Sequence, residues 1–435
     1  GAILSEHSTC ATSGHQSVPS TGAPVASIVV PCYNAERYLR RTLESALAQT
    51  MEDFELICVN NNSTDKTPDL LEEYAAADSR VKILSEPEPG EGPARDAGLK
   101  RARGRWAYFL DSDDLMEPTL LEKSISLAED SQADIVVFQT NGLNDQTGEV
   151  APILGCIDIS WLPPGTRVFD PHEYPQRIFN SFKNWVHNKL FSMPFVHTHD
   201  LHFQHVHRSA DILFTCSALA HAERIAPLEE YLNQYRVLNR ESAMQTSSAY
   251  PLDFLDGFLE LSRHLKAEGI WTLYRTSYTN WLLEGVAANI RVSGSIAATR
   301  MIVDAVRSAA NDELELTSFP ITSVESAWLE ELLGLLLRGG VDEILSCLIG
   351  EYRKSRFDKE VYLSNLRLDS CRLKRDIEGR DREIDLLRSE VDALRKRTTV
   401  LEDDLANVRS SASFKIGRGF TAPLRCVRDI IRRHS

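Results

Sequence analysis

The chain has 435 residues, 43% of them hydrophobic and 26% charged, which is the usage of a folded protein with room for two or three domains. A net charge of −15 argues against nucleic-acid binding over the whole surface, and the absence of an apolar run of about 18 residues argues against a membrane span. Eight scattered cysteines without a C-x-x-C pair or a preceding secretory signal predict a reduced, cytosolic compartment.

Strands and helices are predicted to alternate through the first third of the chain. Residues 1–24 are rich in Ser, Thr, Gly and Pro and are expected to be disordered. Beyond them, short apolar runs predict strands and apolar side chains at helical spacing predict helices. The predicted elements are strand 27–32, helix 35–49, strand 54–59, a helix from Thr67, strand 81–84, helix 92–102, strand 106–110, a helix from Glu117 and strand 134–138. This alternation predicts an α/β fold with a mostly parallel sheet flanked by helices.

Polar motifs follow three of these strands at their carboxyl ends, where such sheets bind ligands. They are Tyr33-Asn34, the run 60–65 and Asp111-Ser112-Asp113-Asp114. Three carboxylates after a buried strand repel one another, and a divalent cation such as Mg²⁺ or Mn²⁺ would neutralise them. A turn that caps the next helix is the alternative. The convergence of several polar clusters on one sheet edge favours the cation.

The four segments 29–34, 59–65, 94–98 and 109–114 resemble the family 2 glycosyltransferases, which have a GT-A fold. The resemblance extends over roughly residues 25–245. It implies an inverting transferase that uses a nucleotide-diphosphate sugar and a divalent metal, Mn²⁺ or Mg²⁺. The transferase domain would then span residues 25–250.

The resemblance also implies roles for individual residues. Asp113 and Asp111 would hold the metal, with Asp113 the stronger candidate and Asp114 a supporting or capping residue. The pair Asn61-Asn62 could also serve a turn with left-handed backbone, which is compatible with nucleotide binding, and Arg95 could instead form a surface salt bridge. The residues implied to bind the nucleotide sugar are Pro31, Tyr33, Asn34, Asn60, Asn61, Arg95, Asp111 and Ser112.

An inverting transferase needs a general base for the acceptor hydroxyl, and a carboxylate can serve. By the same resemblance, Asp211 lies at the base position, with Ala210 where Glu is usual and the segment 188–190 upstream. The alternative for Asp211 is a helix N-cap. Trp185 could stack on a sugar or belong to the core.

Five histidines lie between residues 197 and 207. Such a run could bind a transition metal, but it contains no cysteine, and a partly exposed connecting loop without metal is the preferred interpretation. The five are His197, His199, His202, His205 and His207.

The second half is predicted to be helical and to hold no catalytic groups. Residues 251–357 form an accessory helical region, and residues 358–410 carry a heptad pattern that predicts a parallel coiled-coil homodimer. A single long helix lying along its own chain is the alternative. Residues 411–435 form a basic amphipathic tail, which predicts binding to an anionic membrane surface or docking on the acidic body of the protein.

Together these features predict a glycosyltransferase that is cytoplasmic and peripheral at the inner face of the cell membrane. Its acceptor would be a glycan or a lipid-linked glycan. A nucleotidyltransferase on a related sheet is a second hypothesis, although the loop after the first strand lacks the Gly-rich, basic character that such an enzyme would need. A third is a catalytically weakened transferase-like domain that serves as a dimeric, membrane-associated scaffold.

Overall fold

A computed structural model describes residues 22–206, 208–237 and 250–410 of the chain. The chain divides into two compact units, residues 1–350 and residues 351–435. The predicted disordered segment up to residue 21, the predicted tail 411–435 and His207 lie outside the described residues.

The first unit is built on one sheet, in which the described residues form nine strands in the order β3-β2-β1-β4-β8-β6-β9-β5, with β7 paired to β6. The strands are β1 Ala26–Cys32, β2 Phe54–Asn60, β3 Val81–Ser85, β4 Trp106–Phe109, β5 Leu115–Met116, β6 Ile135–Asn144, β7 Val150–Pro152, β8 Lys189–Ser192 and β9 Ile225–Val237.

The sheet is mixed rather than mostly parallel, which corrects the prediction. β3, β2, β1 and β4 run parallel, but β8 pairs antiparallel with both β4 and β6. The sequence pattern could not reveal this reversal, because strand direction depends on a partner that lies some 80 residues away. The reversal brings the loop that enters β8 to the edge where β4 leaves the sheet.

Helices cover both faces of the sheet. The helices of the first unit are α1 Leu39–Leu47, α2 Thr67–Ala77, α3 Glu91–Arg101, α4 Leu120–Ser131, α5 Ile178–Ser181, α6 Met193–Thr198, α7 Asp211–His221, α8 Asp253–Ala267, α9 Trp271–Ser293, α10 Ile296–Ala309 and α11 Ala327–Arg338. Successive strand residues point to opposite faces, so Ile28 and Val30 pack in the core under α1, α2 and α4 while Val29 packs in the core under α3 and α7.

Helices α8 to α11 extend this second core instead of forming a separate one. The Tyr274 hydroxyl donates to the carbonyl of Ala220 in α7 at 2.9 Å, and Phe254 and Phe258 are buried in the same cluster as Phe214. The helical region is therefore packed on the helix that begins at Asp211. This arrangement fits a role in supporting the site.

A last helix, α12, runs from Val341 to Ser410 without interruption. This helix includes the whole of the predicted heptad segment, residues 358–410, whose pairing with a second copy stays a prediction. In the described part of the chain, no helix combines the length and the apolar character that crossing a membrane requires.

Candidate functional site

The acidic motif lies directly after β4, at the edge where β1 and β2 also end. Asp111 accepts a hydrogen bond from Nη2 of Arg95 at 2.7 Å, and the other terminal nitrogen of Arg95 donates to Glu91 at 2.9 Å. Arg95 is only 4% exposed, so the alternative of a surface salt bridge is wrong. Burial opposes the ionisation of Asp111, but the Arg95 guanidinium and the His187 imidazole together outweigh it and hold the pKa of this carboxyl well below its usual range.

The loop 183–188, which enters β8, faces this motif and carries His187. Nδ1 of His187 lies 3.5 Å from Oδ2 of Asp111. The ring of His187 is nearly parallel to those of Trp185 and Tyr235, with centroids 5.1 Å away from each. Trp185 and Tyr235 also contact each other, with centroids 5.4 Å apart, so the imidazole packs beside both rings at the edge of the acidic cluster. Trp185 belongs to this aromatic cluster, so any sugar stacking on it remains a prediction.

Asp111, Asp114 and His187 form the group suited to a metal ion within the described part of the chain. One candidate ligand atom from each lies within 4.8 Å of the others. Two buried polar atoms in this group, Oδ2 of Asp114 and Nε2 of His187, have no hydrogen-bond partner among the described residues. Carboxylate oxygens and an imidazole nitrogen suit Mn²⁺ or a similar divalent ion. The residues present therefore fit a divalent cation.

Asp114 differs from its neighbours in its burial. It is fully buried, and its Oδ1 accepts a hydrogen bond from the backbone nitrogen of Arg236 at 2.8 Å. Burial first, and then the charges of Asp113 and Asp111, raise the pKa of Asp114 well above its usual range. A bound cation would reverse this effect, because it stabilises the charged carboxylate.

Asp211 is the first residue of α7, and a close approach of α3 brings it to the same site. A Cβ on Gly92 would meet the carbonyl oxygen of Gln204 at 2.0 Å, so only glycine allows the first turn of α3 to pack here. Burial raises the pKa of Asp211; the charge of Arg95 opposes this rise, and that of Asp111 adds to it. A carboxyl with a raised pKa in such a site is suited to accept a proton.

The residues implied to bind the nucleotide lie along the same edge of the sheet, but they differ in exposure and in hydrogen bonding. Tyr33 is 64% exposed, and the side-chain oxygen of Asn34 accepts a hydrogen bond from the backbone nitrogen of Thr64 at 2.8 Å.

The side-chain amide of Asn61 forms three hydrogen bonds with the backbone of residues 86–90. It donates to two carbonyls and accepts from one N–H. Asn61 thus shapes the loop that faces the site. Pro31, Asn60 and Ser112 are partly buried at this edge, and their binding roles stay predictions.

Asp113, the stronger sequence candidate for metal binding, does not belong to the Asp–Asp–His group found among the described residues. Its carbonyl accepts a hydrogen bond from Nε of Arg236 at 2.8 Å, which ties the motif to β9. A metal-ligating role for Asp113 remains a prediction.

Sequence reasoning missed His187 and Arg236. Neither lies in a motif that the sequence analysis used, and both reach the acidic cluster only through strand pairing across the sheet. The segment 188–190 directly after His187 was the one signal that could have pointed to it.

The histidine-rich run separates into two environments. His205 bridges Glu88 at 2.7 Å and Asp96 at 3.4 Å, which links the loop before α7 to α3. His199 stacks on His221, with ring centroids 4.7 Å apart. These contacts are those of a connecting segment that packs on its neighbours.

Comparison with known proteins shows which family the segment that carries the acidic motif is similar to. Residues 27–192, which include the acidic motif and loop 183–188, match the family described as Glycosyl transferase family 2. The chain contains a family 2 glycosyltransferase domain. EpsH and EpsJ of Bacillus subtilis, both named as glycosyltransferases, are 32% and 30% identical to the chain over 222 and 216 residues. The poly(ribitol-phosphate) beta-glucosyltransferase of Bacillus spizizenii is 26% identical over 254 residues, which are 56% of this chain and 37% of that protein.

These similarities cover only part of each protein. The matches to EpsH and EpsJ take in 49% of this chain and 61% of each relative. The crystal structure of residues 1–349 of TarS from S. aureus matches the fold with a TM-score of 0.57 at 18% identity, covering 76% of this chain and 91% of that chain. The likeness extends the shared fold beyond the family 2 domain and into the helical region.

Proposed function

We propose that the chain transfers a sugar, with inversion, from a nucleotide-diphosphate sugar to a hydroxyl group of a glycan or lipid-linked glycan. The observation that carries this proposal is the group of Asp111 with the buried Asp114 and His187, which have unpartnered polar atoms, in the segment that matches family 2, close to Asp211. The names of the relatives, which are bacterial glycosyltransferases, support the same chemistry.

Each group has a role in the proposed reaction. Asp211 accepts the proton of the acceptor hydroxyl as its oxygen attacks the anomeric carbon, and the bond from that carbon to the diphosphate oxygen breaks. Asp111, Asp114 and His187 would hold a divalent cation, which stabilises the charge of the leaving diphosphate when bound. Arg95 holds Asp111 in its ionised form. The rings of Trp185, His187 and Tyr235 would limit the access of water to the side of the acidic motif on which they lie.

The experiment that tests the function incubates the full chain with a panel of nucleotide sugars, with and without Mn²⁺, and measures the release of free nucleoside diphosphate. We expect release with one donor that depends on the metal. Release of pyrophosphate instead would indicate the nucleotidyltransferase. No release with any donor, together with no thermal protection by any of them, would favour the scaffold.

We further propose that the chain acts as a homodimer joined through α12. Leu387, Leu394 and Leu401 recur every seven residues, and each is more than half exposed in the single chain. Opposite charges at Glu390 and Arg395 lie at flanking positions where a parallel second copy would pair them. A second copy of this helix is therefore the partner that fits the row of exposed leucines.

The tail 411–435 suggests where such a dimer would work, at the anionic inner face of the membrane. Two tails bind a surface better than one, because the second attachment is intramolecular. We expect salt-sensitive binding of the full chain to anionic lipid vesicles, measured by co-sedimentation. If a chain that lacks residues 411–435 binds as well, the tail is not the anchor.

A further inference from the structure

Lys189 opens β8 and is completely buried. Its ammonium donates three hydrogen bonds, to the carbonyl of Lys183 at 2.6 Å, the carbonyl of Trp185 at 2.7 Å and Oδ1 of Asn188 at 2.8 Å. None of the ion pairs found in the described residues includes Lys189. Burying an amino group that forms no direct ion pair costs stability, so the position of this lysine calls for another explanation.

The three acceptors of Lys189 belong to one short segment, loop 183–188, which presents His187 to the acidic cluster. The carbonyl of His187 is held from the other side by the hydroxyl of Tyr108 at 2.9 Å and the amide of Asn233 at 3.1 Å. Lys189 thus fixes the loop through hydrogen bonds to residues 183, 185 and 188, and side chains of β4 and β9 fix it through the carbonyl of His187. Without the ammonium, two partly buried carbonyls would lose their donor, and the loop would have to rearrange to satisfy them.

The geometry excludes a direct role for Lys189 on the donor phosphates. An ammonium has three N–H donors, and all three are engaged by the loop. Lys189 could reach a ligand only by releasing the segment that carries His187. Its effect on the site must therefore be exerted through the loop.

We propose that Lys189 is a positioning residue that holds loop 183–188 so that His187 remains beside Asp111 and Asp114 and can take part in binding the divalent cation. This inference rests on the proposed function, because the cation in question is the one that would serve sugar transfer. It adds to that function a residue that touches neither the substrate nor the metal. Partners that orient a metal ligand usually alter metal affinity by about 10- to 100-fold when they are replaced.

The test measures the binding of Mn²⁺ alone to the full chain by titration calorimetry, with no nucleotide sugar present. Lys189→Met keeps the length of the side chain and removes the donors, and we expect the affinity for Mn²⁺ to fall at least tenfold with little change in the melting temperature. Lys100→Met is the matched control, because Lys100 is an exposed lysine of α3. It should bind Mn²⁺ as the wild type does.

A double-mutant cycle with His187→Gln separates positioning from general damage to the fold. If Lys189 acts through His187, adding Lys189→Met to His187→Gln weakens Mn²⁺ binding by less than about threefold. Full additivity of the two changes, or unchanged Mn²⁺ affinity in Lys189→Met, would overturn the proposal. Should Lys189→Met not fold, Lys189→Gln, which retains two donors on a shorter side chain, is judged by the same criteria.

The binding experiment also distinguishes this inference from the proposed function. A wild type that binds Mn²⁺ but releases no nucleoside diphosphate from any donor contradicts the proposed transfer and leaves the Lys189 comparison intact. A wild type that transfers sugar while Lys189→Met keeps its Mn²⁺ affinity contradicts the positioning role alone.

Discussion

At the scale of single residues, the three carboxylates of the acidic motif have different surroundings although they are neighbours in sequence. Asp111 forms an ion pair with Arg95, whereas Asp114 is buried and has one oxygen without a hydrogen-bond partner among the described residues. Asp113 contributes its carbonyl to a bond with Arg236. The motif alone could not assign these roles, because the turn that follows β4 decides which side chains point towards His187.

The first prediction compares two of these carboxylates. Asp114→Asn should weaken Mn²⁺ binding by at least about tenfold, since it removes a charged ligand from the buried group. Asp113→Asn should change it less than threefold. Calorimetric titration of both variants provides the measurement, and the reverse order would restore Asp113 as the principal ligand.

Asp211 gives the second prediction. Asp211→Asn should lower turnover by about 10²- to 10⁴-fold while the dissociation constant of the nucleotide sugar stays unchanged, because only proton transfer is lost. The raised pKa of Asp211 places the acidic limb of the rate profile above the ordinary carboxyl range, and the rate rises with pH as this group loses its proton. Asp130→Asn, at an exposed position of α4, is the control. An equal loss of donor binding in Asp211→Asn would argue against the role of a base.

The third prediction concerns stability and the pair His221 and His264, whose Nε2 atoms lie 3.0 Å apart. Burial, together with the neighbouring histidines, lowers the pKa of His221 to about 4, below the ordinary value of 6.5. The unfolded chain therefore binds the proton first as the pH falls. Stability should be highest above about pH 7 and should decline as the pH falls towards 5, by about 1 kcal/mol once the partial solvent exposure of His221 is allowed for.

Urea unfolding at pH 7 and pH 5 checks this linkage. His221→Gln should reduce the difference between the two pH values, since it removes the titrating group. An exposed histidine, His197, supplies the control variant His197→Gln. Identical pH dependence in wild type and His221→Gln would contradict the assignment.

At the scale of elements, sequence periodicity located four of the nine described strands, β1 to β4, within one residue at each end, and it found the start of β6 but not its end at Asn144. It placed the start of the first helix at residue 35 and of the fourth at Glu117, whereas α1 begins at Leu39 and α4 at Leu120. Between the acidic motif and α4 the chain first forms β5, which pairs with β9. A two-residue strand carries no periodic signal, so this pairing could be found only in three dimensions.

Helix α12 supports the fourth prediction. Replacing Leu387 and Leu394 by Asp should convert a dimer into a monomer, because it places charges at the centre of the proposed seam. Ser389→Asp, on the outer side of the same turns, should leave the dimer intact. Sedimentation equilibrium measures the mass, and a wild type that is monomeric at every concentration would reject the seam.

At the scale of the whole molecule, the excess of acidic charge lies in the first 410 residues and the excess of basic charge in the tail. If the proposed membrane attachment occurs, this distribution would repel the body from an anionic surface and attract the tail to it. The chain spans about 61% of the length of EpsH and of EpsJ, so the activities of those proteins reach this chain only as proposals. The fold shared with TarS covers residues well beyond the family 2 match.

Sequence by itself determined the alternation of strands and helices, the polar motifs at the strand ends and the family, because these depend on local patterns of side chains. Only the tertiary structure decided that β8 runs against β4, and that its entry loop carries His187 to Asp111 and Asp114 while Lys189 holds that loop in place. The physical reason is that strand direction, and the burial of a charge among carbonyls, depend on partners far away in the chain. A local pattern of residues therefore cannot predict strand direction or the burial of such a charge.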